Sequence, residues 1–175
     1  CKKSYLKEIH KIKNPYFNTN GNKENLRFIF SIANKLKLKK KYLIKTINRF
    51  KGLNFRQQII YNSKKLTVIN DSKATNFTSS INILKSLKKV YWLVGGIPKP
   101  GDKFFMTKKQ CLNFKAYIYG KNKNYFGKQL KNKLRYEYFD NLQSALKKII
   151  FDIKSEKINL HSTILFSPSA ASFDT

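Results

Sequence analysis

Acidic residues are the scarce element of this sequence. Asp and Glu number 9 among 175 residues, against 37 Lys and Arg, for a formal net charge of +28. Cysteine is rarer still: Cys1 and Cys111 stand far apart with no CxxC, which excludes a disulfide framework and a zinc ribbon. His10 and His161 are isolated and give no metal-ligand spacing. No apolar run approaches the roughly 20 residues of a membrane span, and residues 1–8 lack the apolar centre of a secretory signal. Also missing are GxxxxGK[ST], GxGxxG and GxSxG, so the chain carries no recognised phosphate cradle and no hydrolase elbow. The only Met is Met106 and position 1 is Cys, which gives the expectation of a fragment of a longer protein.

The charge itself has two readings. A large basic excess fits binding to a polyanion such as nucleic acid. Only four of the 37 cations are Arg, namely Arg27, Arg49, Arg56 and Arg135, although Arg is the side chain suited to bidentate phosphate and base contacts. Lys, Asn, Ile, Tyr and Phe share A/T-rich codons, so compositional drift produces the same balance without a polyanion. At 41% hydrophobic and 14% aromatic, the chain can bury a core and is not disordered.

Hydrophobic periodicity predicts helices over residues 22–37 and 41–49, the first capped by Asn22 and carrying Leu26, Ile29, Phe30, Ala33 and Leu36 on one face. Gly52 closes this region. Short β-rich runs follow at 58–61 and 66–69, joined by a hairpin turn over 62–65. Strands at 90–94, 115–119, 135–139 and 162–166 then alternate with helices near 76–88, 121–133 and 142–154. That alternation predicts an α/β domain with a mostly parallel sheet, and the apolar strands predict a sheet covered on both faces. Ligands in such folds sit at loops beyond the carboxyl ends of the strands. Three loops qualify, over residues 70–76, 95–102 and 167–172.

In the first loop, Asp71 directly follows an apolar strand. A carboxylate there can accept from a ribose hydroxyl or orient a cation, while Lys73 can neutralise an anion and Ser72 and Thr75 can donate hydrogen bonds. Equally, Asp71, Ser72 or Thr75 can serve as a helix N-cap with no ligand at all. In the second loop, Gly95-Gly96 permits close backbone approach to a ligand, and Lys99 is a cation set between two prolines. The third loop, from Ser167 to Ser172, offers small hydroxyl residues suited to an anion.

Taken in order, these loops resemble the Mur ligase family, and within it the members that add D-glutamate. Val68-Ile69 followed by Asn70-Asp71-Ser72-Lys73-Ala74-Thr75-Asn76 is the most specific match. Leu93-Val94-Gly95-Gly96 with Lys99 resembles the family's Gly-Gly-x-x-Lys loop, and Leu165 to Asp174 resembles its Leu-Ser-Pro-x-x-Ala-Ser-x-Asp element. Upstream, Asn22-Lys23-Glu24-Asn25 resembles the Asn-x-x-Asn that opens a helix in the central domain, and Phe50-Lys51-Gly52-Leu53 with Arg56 resembles the stretch entering the third domain. The pattern departs at four places: Gly21 and Phe55 stand where His is usual, Ile97 where Asp is common, and Ala170 where Cys is common.

The resemblance implies a Rossmann-like C-terminal domain at 53–175, truncated at its end and preceded at 1–52 by the helical end of the central, ATP-binding domain. It implies ATP-dependent addition of D-glutamate to UDP-N-acetylmuramoyl-L-alanine through an acyl phosphate, by a cytoplasmic enzyme that is monomeric at full length, binds no nucleic acid and enters no membrane. Asn22, Asn25, Arg56 and Asp71 would contact the nucleotide. Lys73, Thr75, Lys99 and Ser172 would surround the D-glutamate carboxylates, with Lys73 also catalytic. Mg2+ would be required, its ligands lying outside this chain, so no residue here is assigned to metal.

Overall fold

The computed structural model describes residues 8–156 and 161–171. The chain forms two compact units, Cys1–Gly52 and Leu53–Thr175.

The first unit contains 3-10 turns at Ile9–Lys11 and Pro15–Asn18 and two helices, α1 (Asn20–Lys35) and α2 (Lys40–Arg49). Its small core joins Phe17, Leu26, Phe30 and Ile47. Asn14 fastens it: the side-chain amide donates to the carbonyls of Ile47 and Phe50 at 2.8 and 2.7 Å. The helix start differs from the sequence expectation. Thr19 is the N-cap, its hydroxyl accepting from the Asn22 amide, so the helix begins two residues earlier. Leu36, expected on the buried face, is exposed, because the helix ends at Lys35.

The second unit is a six-stranded sheet in the order β1-β2-β6-β3-β4-β5. Its strands are β1 (Gln58–Asn62), β2 (Leu66–Asn70), β3 (Val90–Gly95), β4 (Phe114–Tyr119), β5 (Arg135–Phe139) and β6 (Ser162–Phe166). The edge strand β1 runs antiparallel to β2, and every other pairing is parallel. The helices are α3 (Phe77–Leu84), α4 (Lys123–Leu130) and α5 (Leu142–Ser155). From β3 the chain steps outward through β4 and β5. After α5 it returns to insert β6 between β2 and β3.

Strand periodicity assigns the two faces. On β3, Val90, Trp92 and Val94 join α3 and α4 residues in the larger core, whereas Tyr91 and Leu93 face Ala145 and Ile149 of α5. Trp92 sits among aromatic rings, with centroids 6.3 Å from Phe77 and 5.7 Å from Phe104. Fully burying such a side chain contributes about 2–3 kcal/mol. Cys111 lies in the same core, and burial pushes its thiol up to about 11, which leaves it protonated and inert. Helix α3 stops at Leu84, short of the expected 88, yet Leu87 still packs against the core from the following turn.

Under α5, one scarce acid organises the polar contacts. Asp152 accepts from Tyr117 and Lys115 on one oxygen and from Lys148 on the other, each at 2.6 Å. Burial raises its pKa, but these three donors outweigh it and bring the carboxyl down to about 2. Such a depressed group contributes stability above the unfolded-state value near 4, and that contribution is lost as pH falls through about 2. Asp152→Ala should therefore cost about 2–3 kcal/mol at neutral pH, because it removes the acceptor of the buried Tyr117 hydroxyl and leaves Lys115 with Glu137 alone. Denaturant titrations should show this penalty at pH 7 and its shrinkage toward pH 2. An equal penalty at both pH values would contradict the assignment.

Candidate active site at the carboxyl edge of the sheet

Strands β2, β6 and β3 are adjacent and parallel, so the three loops singled out in the sequence leave the same edge of the sheet. Backbone hydrogen bonds continue past the strand ends and lock the loops together. Asp71 donates its amide to Phe166, Ser167 to Leu93, and Gly95 to Pro168. Farther out, Ile97 and Ala171 exchange both backbone bonds, at 3.0 and 3.1 Å. The edge is thus a woven strip of backbone rather than three independent loops.

The paired glycines serve this weave. A Cβ on Gly95 would lie 2.2 Å from the carbonyl oxygen of Tyr119, and one on Gly96 would lie 2.8 Å from that of Ala171. Close backbone approach is what the sequence indicated, but the approaching group is the protein's own main chain.

Asp71 is 5% exposed. One carboxylate oxygen accepts from the Gln57 amide at 3.1 Å and the other from the Ser167 hydroxyl at 3.1 Å. Burial dominates its titration and pushes the carboxyl up to about 6, while the Gln57 amide, the Ser167 hydroxyl and the Arg56 charge pull the other way. The first of those bonds holds a tight turn in which Phe55 and Gln57 both have left-handed φ, 64° and 49°. Lys73 donates its amide to Phe55 in the same turn. Arg56 is carried between these two residues, exposed beside the loop.

The capping alternative resolves in favour of another residue. Helix α3 is capped by Asn76, whose side chain accepts from the Ser79 amide at 2.8 Å. Asp102, at the end of the second loop, accepts from the Phe77 amide at 2.6 Å. Asp71, Ser72 and Thr75 are thereby released from that duty. Lys73, Thr75 and Lys99 are exposed, and among the described residues neither lysine forms an ion pair. Two unneutralised cations and a hydroxyl at one sheet edge suit a ligand with more than one carboxylate. Ser172, with Phe173 and Asp174 of the same motif, lies outside the described residues.

In the first unit, Asn22 and Asn25 lie in the opening turns of α1. Asn22 is buried and its amide donates to the Tyr16 carbonyl at 2.7 Å, whereas Asn25 is exposed. Sequence reasoning missed Ser80 and took Ser169 only as one of the third loop's hydroxyl residues; both are buried and hydrogen-bonded to each other at 2.6 Å. A signal was available: Ser80 stands on the apolar stripe of α3 with Phe77, Ile81 and Leu84, and a buried hydroxyl requires a partner.

A mostly parallel sheet with three loops leaving adjacent carboxyl strand ends is an α/β fold of the class in which ligands bind beyond those ends. No family model matches the chain. Two solved structures share its fold. It aligns with UDP-N-acetylmuramate-alanine ligase MurC from Thermotoga maritima at a TM-score of 0.55 and 14% identity, covering 87% of this chain and 35% of that one. It aligns with MurF ligase from Thermotoga maritima, solved in complex with ADP, at a TM-score of 0.55 and 15% identity over the same shares. In sequence it is 36% identical over 157 residues to UDP-N-acetylmuramoylalanine--D-glutamate ligase of Francisella tularensis subsp. tularensis strain SCHU S4, covering 87% of this chain and 36% of the relative. The subsp. novicida strain U112 enzyme of the same name matches equally. The chain belongs to the Mur ligase family and spans just over a third of the length of the curated relatives it matches.

The raised pKa of Asp71 gives a pH signature opposite to that of Asp152. A carboxyl whose folded value lies above its unfolded one contributes stability that is full below about pH 4 and lost as pH rises through about 6, here about 3 kcal/mol. Asp71→Asn should remove this slope because Asn does not titrate, and it should keep the fold because Asn can still accept the Gln57 amide and donate to Ser167. Denaturation midpoints between pH 4 and 7 should show a fall in wild type beyond that in the variant; parallel curves would refute it. Gly95→Ala should destabilise by more than about 2 kcal/mol through its collision with the Tyr119 carbonyl, measurable as a lowered melting temperature. An unchanged melting temperature would contradict the close approach.

Proposed function

We propose that this sequence supplies the amino-acid-binding part of an ATP-dependent, ADP-forming ligase. That ligase joins D-glutamate to UDP-N-acetylmuramoyl-L-alanine in peptidoglycan synthesis, and through it serves cell shape and division. One observation carries the reading: Lys73, Thr75 and Lys99 stand exposed at a single sheet edge, in a chain 36% identical to enzymes named for that reaction. The ADP bound to the MurF relative supports a nucleotide co-substrate.

The reaction forms an amide. The muramoyl-alanine carboxylate is activated as an acyl phosphate at the expense of ATP, and the D-glutamate amine then displaces phosphate through an anionic tetrahedral species. The contribution of this chain is positioning and charge. Lys73 and Lys99 pair with the two D-glutamate carboxylates, with Thr75 and Ser172 donating hydrogen bonds, so that the amine alone is left to react. Lys73, beside the reacting centre, also offsets the developing negative charge. Arg56 takes a nucleotide phosphate. Asp71 serves the ribose side chiefly by holding the Arg56 turn. Asn22 and Asn25 are assigned to the nucleotide's base.

Magnesium would counter phosphate charge in such a reaction. Its ligands are assigned to the part of the ligase outside this sequence. No helix among the described residues is long and apolar enough to cross a membrane. The proposed enzyme acts as a monomer in the cytoplasm.

Loss of one charge-assisted hydrogen bond costs about 1.5–3 kcal/mol. Lys99→Ala should therefore weaken D-glutamate binding to the chain by about tenfold or more, read by isothermal titration or amide chemical shifts. In a full-length ligase carrying this sequence, the same change should raise KM for D-glutamate with kcat little altered. Binding indifferent to Lys99, or equal for L-glutamate and D-glutamate, would overturn the assignment.

A further inference from the structure

Four buried polar side chains at the carboxyl edge form one continuous chain of hydrogen bonds. Ser169 donates to Ser80 at 2.6 Å, the hydroxyls of Ser80 and Ser167 meet at 2.6 Å, and Ser167 donates to Asp71 at 3.1 Å. The three serines are 1%, 0% and 0% exposed in the order Ser169, Ser80, Ser167. They come from different segments: the stretch after β6 supplies Ser167 and Ser169, helix α3 supplies Ser80, and the loop after β2 supplies Asp71.

Counting protons gives the chain a direction. Each hydroxyl has one proton to donate, and an ionised carboxylate has none. Ser167 donates its one proton to Asp71, so at the Ser80–Ser167 contact Ser80 must be the donor, and Ser80 in turn accepts from Ser169. Every donor is then used once, and the negative charge at the end orients all three. Such a chain is polarised along its length, each bond strengthening the next. The Ser167 carbonyl is held too, accepting from the Trp92 indole nitrogen at 2.8 Å.

The far end of the chain bears on the site. Ser169 has a left-handed φ of 58°, a conformation that costs a non-glycine residue energy and needs support. Two residues on, Ala171 pairs with Ile97 of the loop that carries Lys99. The near end holds the Gln57 turn through the other oxygen of Asp71.

We infer that Ser80 and Ser167 are positioning residues, whose buried hydroxyl chain couples the Asp71 carboxylate to the strip formed by Ala171 and the Lys99 loop and so sets the geometry in which a dicarboxylate acceptor is held. The identity of that acceptor rests on the ligase reading; the coupling does not. Arg56 is the charged group facing Asp71, and it is untouched in every variant below.

The test uses this chain, labelled for NMR, as wild type, Ser80→Ala and Ser169→Ala, with Ser79→Ala as a control one position off the chain. Three quantities are read: the titration midpoint of the Asp71 side-chain carboxyl, the amide shifts of Ile97 and Ala171, and the affinity for D-glutamate. Ser80→Ala and Ser169→Ala should each raise the Asp71 midpoint, more for Ser80, and shift both amides, with D-glutamate affinity falling about three- to tenfold. Ser79→Ala should move none of these. Ser169→Ala removes only the first donor, so it keeps the test open if Ser80→Ala fails to fold. An Asp71 midpoint unmoved in the folded variants would overturn the coupling. A moved midpoint with unchanged D-glutamate affinity would overturn the positioning role. If wild type binds no D-glutamate while the midpoint and both amides respond, the coupling stands and the ligase reading fails.

Discussion

A carboxylate placed at the buried end of β2 has to find donors, and the donors that Asp71 finds come from two directions. The Gln57 amide on one oxygen draws in the turn before β1, and the Ser167 hydroxyl on the other draws in the segment after β6. An unpaired buried carboxylate is costly enough to be avoided. Pairing Asp71 therefore constrains both segments at once, and the Lys73 amide is tied to the same turn through Phe55. Even so the pairing is incomplete, because burial still wins and the carboxyl stays near 6.

Around that acid the edge is built almost wholly from main chain. Gly95 and Gly96 lie against the carbonyls of Tyr119 and Ala171, too close for any side chain. The Ile97–Ala171 pairing then carries the sheet beyond its strands. The loop that carries the exposed Lys99 thereby starts from a hydrogen-bonded backbone pair two residues before it. The two acids of greatest structural consequence work in opposite senses. Asp152 is lowered by three donors and its contribution is lost in acid, while Asp71 is raised by burial and its contribution is lost as pH rises through about 6.

Much of this was legible beforehand. Alternating strands and helices announced the parallel sheet, since strand and helix periods differ and neither can mimic the other for long. All six strands lie where apolar runs placed them, and the three loops proved to leave adjacent strands. The boundaries of α1 and α3 were less legible: Thr19 outcompeted Asn22 for the cap, and α3 closed early in a turn that still buries Leu87. Asp71 was conspicuous because acids are rare, yet its partners Gln57 and Ser167 are 14 and 96 positions away. No local pattern encodes such a pairing.

The sequence by itself determined the class of fold, the three loops that gather at one edge of the sheet, and the cations they carry or adjoin, Lys73, Lys99 and Arg56. Those properties follow from local periodicity and from side-chain type. The tertiary structure alone decided what the paired glycines approach, which residue caps α3, and that Asp71 ends a buried chain begun at Ser169. Each of these depends on segments far apart in the chain meeting at one point, and that meeting is fixed by how β6 inserts between β2 and β3. Its register is set by packing on both faces of the sheet, which no short stretch of residues contains.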